Sequence, residues 1–231
     1  MDKNEFSIAR INRLDALLDS KEEFLSTLSS LTTRGSIACH NWKKDFPPGP
    51  CSRSVAFSMA FSHRYLYVVW HMASDGLLAL NSSDLAPVAR DHCVEVFLQV
   101  PGQDEYWNFE VNALGALNAS HRVSRPHPVR LTAGELAAVK RMGTYVGREP
   151  FEVPSTERCV WWVSLAIPWA LLGLGGGSLP SYLLGNLYAC AGAVENPYYI
   201  SCFPIDTPRP DFHRPECFGK IKMLQHDEQR N

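Results

Sequence analysis

The reading of this chain turns on the stretch from Asp91 to Asn112, DHCVEVFLQVPGQDEYWNFEVN. Two strand-like runs flank a turn at Pro101-Gly102. Side chains along a strand point alternately to opposite faces. In the first run Val94, Val96 and Leu98 therefore share one face, and Cys93, Glu95, Phe97 and Gln99 the other. In the second run Trp107, Phe109 and Val111 form the apolar face, opposite Asn108, Glu110 and Asn112. Pairing the runs as a hairpin puts one face into a core. The other face gathers Glu95, Gln99, Asn108, Glu110 and Asn112, an unusual density of hydrogen-bonding groups aimed one way. That face is the candidate site, and its use for binding requires that it be reachable from solvent.

Upstream of the pair, Ser7–Asn12 reads as a short strand. Ser20-Lys-Glu-Glu23 has capping-box spacing before the apolar stripe Phe24, Leu25, Leu28 and Leu31, which predicts a helix over 21–31. Arg34-Gly35 breaks that helix, Ser36–Trp42 reads as a strand, and Lys43–Ser52 as a polar, proline-rich loop. Val55–Met59 and Tyr65–Met72 alternate around a turn at Ser62-His63 and predict a second hairpin. Ala73–Arg90, carrying Asp75-Gly76 and Asn81–Asp84, reads as a loop. Downstream lie a basic loop over His121–Arg130, a capping box at Thr132–Glu135, and a buried strand at Cys159–Ile167. One helical turn at Pro168–Leu172, a flexible loop at Gly173–Ser178, and strands at Leu184–Ala191 and Tyr198–Phe203 follow. Pro204–Gly219, with prolines at 204, 208, 210 and 215, is irregular but pinned, and Lys220–Leu224 closes as a last strand. Many short strands with proline-rich turns predict an all-β fold, an antiparallel β-sandwich of immunoglobulin-like or jelly-roll-like form with one or two short helices. The expected organisation is a strand and helix over residues 1–35 packed on a sandwich over 36–224, with a disordered tail over 225–231.

Composition removes several function classes. A chain of 231 residues fits one β domain. Its formal net charge of −2 carries no footprint for nucleic acid or an anionic membrane surface. No window approaches the roughly 20 apolar residues of a membrane span. The opening MDKNEFSIAR lacks the apolar core of a secretory signal. Seven cysteines, an odd number without CxxC spacing, argue against a disulfide framework or a zinc ribbon and read as buried free thiols.

No GxSxG, HExxH or phosphate-cradling glycine loop is present. Gly175–Gly177 reads as a linker. Asp91, Glu95 and Glu110 supply carboxylates for a glycosidase pair, but carboxylates on a strand are common without such a role. Asp91 with nearby carbonyls would suit a hard cation, though no EF-hand spacing supports it. The histidines at 71, 92, 121, 127 and 213 lack tight metal-ligand spacing, so no metal and no cofactor are expected. Trp70, Trp107, Trp161, Trp162 and Trp169 sit in apolar runs and read as core, whereas Trp42 and Phe212 are the better stacking platforms.

Taken together, LYVVWH at 66–71, RDHCVEVFLQ at 90–99, YWNFEVNALG at 106–115, WWVSLAIPW at 161–169, GNLYACAG at 185–192 and PDFHRPECFGKI at 210–221 resemble the carbohydrate-binding module family 9-like domains, relatives of the DOMON sandwiches. The resemblance covers about residues 36 to 224 and implies an antiparallel β-sandwich. In sugar-binding members two aromatic rings clamp a terminal sugar, and carboxylate, amide and basic side chains bind its hydroxyls. The carboxylate of the family's VEVF motif falls on Glu95, and the second-strand position falls on Glu110, where binders of the family carry a basic group. One clamp aromatic falls on Phe212; the other falls on Ala89, so half of the clamp is missing, with Trp42 and Trp107 as its candidate substitutes.

The resemblance thus implies a non-catalytic module for a mono- or oligosaccharide ligand, with Asp91, Glu95, Glu110, Asn112 and Phe212 as ligand-binding residues and no catalytic residue. Two alternatives stay open: a DOMON-type haem or cofactor-binding electron-transfer domain using Met72 or His71 with a distal histidine, and a glycoside-acting enzyme using Glu95 and Glu110. Carbohydrate is the expected partner, with no nucleic acid and no membrane; oligomeric state and localisation stay open, since the absent signal and the resemblance point to opposite sides of the membrane.

Overall fold

The computed structural model describes residues 4–30, 34–46, 53–176 and 178–227. Among them are thirteen strands: β1 (Glu5–Arg10), β2 (Arg34–Ser36), β3 (Ser54–Phe61), β4 (Tyr65–Ala79), β5 (His92–Gln99), β6 (Tyr106–Asn112), β7 (Leu117–Arg122), β8 (Val129–Arg130), β9 (Lys140–Gly143), β10 (Phe151–Pro168), β11 (Tyr182–Ala191), β12 (Tyr198–Ser201) and β13 (Gly219–Asp227). Two short helices, α1 (Lys21–Ser30) and α2 (Ala133–Ala138), accompany them. The strands form one ladder in the order β8-β7-β6-β5-β11-β13-β1-β3-β4-β10-β9, with β12 added to β11 and β2 to β3. The protein is mostly β with few helices, as expected. β1 differs from an antiparallel plan, because it pairs in parallel with both β13 and β3.

The sheet curls so that its two arms share one core. Phe57, Val68, Trp70, Trp161 and Val163 from β3, β4 and β10 belong to the same apolar cluster as Val96, Phe109, Val111 and Leu187 from β5, β6 and β11. Each such side chain contributes about 1.5–3 kcal/mol when fully removed from water. Smaller clusters cover the outer surfaces. Phe24 and Leu28 of α1 pack with Tyr65, Tyr67 and Leu14 over one arm. Trp42, Phe97, Tyr188, Ile205 and Phe212 pack over the other.

The central hairpin forms with the expected faces, Val94 standing opposite Val111, Val96 opposite Phe109 and Leu98 opposite Trp107. Pro101 restricts one corner of its turn, and Gly102 takes the positive φ, +84°, that the other corner needs. The β3–β4 hairpin also forms as expected.

Elsewhere the boundaries move. The segment read as a loop from Ala73 continues β4 as far as Ala79, because Asp75-Gly76 marks a bulge rather than a turn. Gly76 has φ +79°, and a Cβ there would stand 3.0 Å from the Ser155 backbone, beside the register shift between Val153 and Arg158. A glycine at positive φ serves either structure, and the dipeptide alone does not distinguish them. Ser36–Trp42 is not a strand: β2 ends at Ser36, and only Cys39 forms an isolated bridge, with Ser201. Arg34-Gly35, read as a helix breaker, lies within β2. α2 has the expected capping box between Thr132 and Glu135. β13 runs to Asp227, three residues beyond the expected end. Residues 31–33, 47–52, 177 and 228–231, which include parts of the expected helix end, loops and tail, lie outside the described residues.

Candidate functional site

The register of five neighbouring strands sets the outer face of the central pair. Glu95 on β5 stands opposite Glu110 on β6 and opposite Tyr188 on β11. Glu110 in turn stands opposite Asn118 on β7, and Tyr188 opposite Ser201 on β12. One step along, Cys93 faces Asn112 on one side and Cys190 on the other, with Tyr199 beyond. One step the other way, Asn108 meets Ser120 and Phe97 meets Asn186.

This face is covered. The irregular segment after β12 crosses it and is held by specific bonds. Trp42 Nε1 donates to the Thr207 carbonyl at 2.8 Å, and the Tyr188 hydroxyl to the Phe212 carbonyl at 3.1 Å. Arg125 pairs with Asp211 at 3.0 Å, and the Tyr106 hydroxyl lies 3.0 Å from His213 Nδ1. Phe212 stacks on Tyr188 with ring centroids 4.2 Å apart and planes within 11°. What remains between the cover and the sheet is a pocket of about 170 Å³ lined by Glu95, Glu110, Cys190, Ala89, Tyr199, Arg125, Asp211, Phe212, His213 and Pro210. Glu95 and Glu110 are 3% and 8% exposed, so the pocket reaches them at its floor.

The two acids differ in how they are satisfied. Glu110 accepts from Asn108 Nδ2 on one oxygen and Asn118 Nδ2 on the other, both at 2.9 Å. Ser120 donates to Asn108 Oδ1 at 2.7 Å, which orients that amide. Burial raises the Glu110 carboxyl, while the Asn118 bond, the Arg122 charge and the Asn108 bond pull it down. Glu95 has less support: among the described residues the only partner of its carboxyl is the Cys190 thiol, at 3.3 Å. Burial, then the Cys190 thiol and the Glu110 carboxylate, push it well above the ordinary range. The neutral, protonated form of Glu95 is thereby favoured, and in that form the carboxyl can both donate and accept. Burial and the Arg122 and Arg125 charges lower His213 to about 3, which keeps its ring neutral, and its Nδ1 shares a hydrogen bond with the Tyr106 hydroxyl.

Of the five candidate residues, Glu95, Glu110 and Phe212 come together at the pocket. Asp91 and Asn112 do not line it. They form a buried clasp at the far end of β5 and β6. Asp91 accepts from the Leu80 and Asn81 backbone amides at 3.0 and 2.9 Å, from Asn81 Nδ2 at 2.9 Å and from Asn112 Nδ2 at 2.8 Å. Asn112 Oδ1 accepts from the Leu114 and Ala116 amides, both at 3.1 Å. Trp42, expected as an exposed platform, is buried under the cover, and Trp107 lies in the main core; neither fills the clamp. Met72 is core and His71 points to the opposite face of β4, as consecutive strand residues must.

Residues missed in the sequence are Cys190 and Tyr199 on β11 and β12, and Arg125, Asp211 and His213 from loops. Alternation in LYACA is compatible with Tyr188 and Cys190 sharing a face, but nothing local shows which strand that face meets. Tyr199 lies beside the position of the missing clamp aromatic: a Cβ on Gly192 would be 3.1 Å from the Ala89 carbonyl and 3.3 Å from the Tyr199 hydroxyl. Its ring meets Phe212 edge-on at 6.2 Å. A second pocket of similar volume, lined by Arg53, His92, Glu152, Glu195 and Tyr198 among others, contains none of the five candidates.

Fold and pocket together define a class, a curled β-sheet scaffold with a small polar and aromatic pocket on an outer face. The model of carbohydrate-binding family 9 matches residues 25–223, and the chain belongs to that family. It is similar to a Bacteroides uniformis protein provisionally assigned as carbohydrate-binding, with 26% identity, a TM-score of 0.81, and coverage of 96% of this chain and 99% of that one. A family 9 module from Caldicellulosiruptor kristjanssonii in complex with cellotriose shares its fold at 12% identity and a TM-score of 0.56, over 98% and 97% of the two chains. The glucose complex of a family 9 module from that organism aligns over 80% of this chain and 83% of that one, at 15% identity and a TM-score of 0.48. No curated protein matches the chain significantly.

Proposed function

We propose that this chain is a non-catalytic carbohydrate-binding module that takes a terminal sugar ring in the pocket above Glu95 and Glu110. One observation carries the reading: Glu95 and Glu110 of the central hairpin and Phe212 of the distant covering segment, which correspond to the hydroxyl-binding and clamp positions of the family, line the same pocket. Asp91 and Asn112 serve the site indirectly, by holding the ends of β5 and β6. In this reading the curled sheet is the β-sandwich scaffold of the module over residues 36–224, and residues 1–35 complete it.

The chemistry of the pocket suits a polyol. Neutral Glu95 donates to one hydroxyl and accepts from another, Glu110 accepts, and Arg125 at the rim donates. Tyr199 takes the wall that Ala89 leaves bare, and the part of the Phe212 ring that lines the pocket supplies apolar surface for ring carbons. The pocket is smaller than the ~300–1,000 Å³ typical of drug-sized ligand sites, which favours one ring or a chain end over a long oligosaccharide laid across the sheet. A labelled-glycan array tests the reading: a module of this kind retains glycans that share one terminal sugar and leaves chromogenic glycosides uncleaved. Hydrolysis that Glu95→Gln abolishes would replace it with the enzyme reading.

A further inference from the structure

Cys93 and Cys190 stand directly opposite each other where β5 and β11 pair. Glu95 follows on the same face of β5. Taking one donor atom from each, the two sulfurs and a carboxylate oxygen all lie within 4.8 Å of one another, and all three residues are buried. A tetrahedral zinc ion with Zn–S near 2.3 Å and Zn–O near 2.0–2.2 Å spaces adjacent donors roughly 3.5–3.8 Å apart. The Cys190 Sγ to Glu95 Oε1 separation of 3.3 Å is already close to that spacing.

The second observation is the state of Glu95. It is almost wholly buried, yet among the described residues its carboxyl has one partner, a thiol, which is a weak donor. Buried carboxyls ordinarily have their acceptor sites filled. Here one oxygen is met only by the Cys190 thiol, and the residue lines the pocket beside the two sulfurs. Cys190 and Glu95 also line the pocket, so an ion has a route in and the pocket side keeps a coordination position for water.

We propose that Cys93, Cys190 and Glu95 form a three-ligand site for a thiophilic divalent cation of the zinc and cadmium class, with its fourth position open to the pocket. Two thiolates and one carboxylate favour such ions over calcium or magnesium, which select oxygen donors. On entry of the ion the two S–H protons leave, and the carboxyl proton with them, so the balance is one cation bound for up to three protons released. The cation would share Glu95 with the sugar pocket proposed above, and its test uses no sugar, so the two readings fail separately.

Cadmium reports directly on sulfur ligation. The reduced, metal-free full chain is titrated with Cd²⁺ while ultraviolet absorption is followed. The expected result is a thiolate-to-cadmium charge-transfer band that saturates near one equivalent. Cys93→Ser and Cys190→Ser should each abolish or halve the band, Cys159→Ser, outside the cluster, should retain it, and Glu95→Ala should weaken affinity by at least roughly tenfold. No band in folded wild-type protein, or an undiminished band in folded Cys190→Ser, overturns the site. Should the serine variants not fold, cadmium NMR of the wild type decides: a mixed two-sulfur resonance supports the site, and an all-oxygen or four-sulfur resonance overturns it.

Discussion

Glu95 and Glu110 stand directly opposite each other on the outer face of β5 and β6, and both are nearly excluded from water. Like charges so placed repel across a short gap in a medium that screens poorly. The structure resolves the conflict asymmetrically, giving Glu110 two amide donors and leaving Glu95 to keep its proton.

Glu95→Gln should therefore stabilise the protein increasingly as pH rises. A carboxyl whose pKa is raised in the fold stabilises it fully below the ordinary value near 4.5, and that contribution is lost as pH rises toward the folded value. Glutamine resembles the neutral acid and carries no such penalty. Urea denaturation at pH 4.5 and pH 8 checks this; a difference between variant and wild type that is the same at both would show that Glu95 is not protonated in the fold.

His213 predicts the opposite slope. Its folded pKa is lowered to about 3, so its contribution is present above the ordinary 6.5 and is lost as pH falls toward 3. Replacing it with asparagine preserves an acceptor for the Tyr106 hydroxyl without a titrating ring. The stability gap between wild type and His213→Asn should narrow or reverse as melting temperature is followed from pH 7 to pH 4.

Phe212 is sandwiched against Tyr188 with Trp42 6.0 Å away, and the segment that carries it covers the sheet. Phe212→Ala should cost ~3–5 kcal/mol, the usual range for a buried phenylalanine, and Phe212→Leu about 1–2 kcal/mol. Chemical denaturation checks the pair. A loss below ~1 kcal/mol for the alanine variant would show that the ring does not pack on Tyr188 as the structure has it.

Asn112→Ala should destabilise by ~2–4 kcal/mol, because it leaves the buried Asp91 carboxylate short of a donor and two backbone amides without their acceptor. The melting temperature falls while the pocket residues are untouched.

The central hairpin was legible because period-two alternation with a Pro-Gly turn leaves one register that buries Val96, Leu98 and Phe109. The opposite face was legible as polar but not as covered. Cys93, Phe97 and Tyr106 lay on it in the sequence, and apolar groups among carboxylates and amides are what a covered polar face looks like. The cover itself is Pro204–Phe218, irregular and proline-rich, whose docking depends on single long-range bonds from Trp42, Tyr188, Tyr106 and Arg125. No local period encodes such contacts. For the same reason Asp91 and Asn112 looked like ligand-binding groups: their donors and acceptors meet in a clasp formed by the Leu80–Asn81 segment, which the sequence places only in a loop.

The most direct test is calorimetric titration of the chain with glucose, cellobiose and cellotriose, and then with a broader set of mono- and oligosaccharides, repeated on Glu110→Ala and Tyr199→Ala after each is shown to be folded. The account predicts saturable heat for wild type with sugars sharing one terminal ring, and at least a tenfold loss of affinity, about 1.4 kcal/mol, in both variants. No heat from any sugar at millimolar concentration, or binding undiminished in both folded variants, would contradict it.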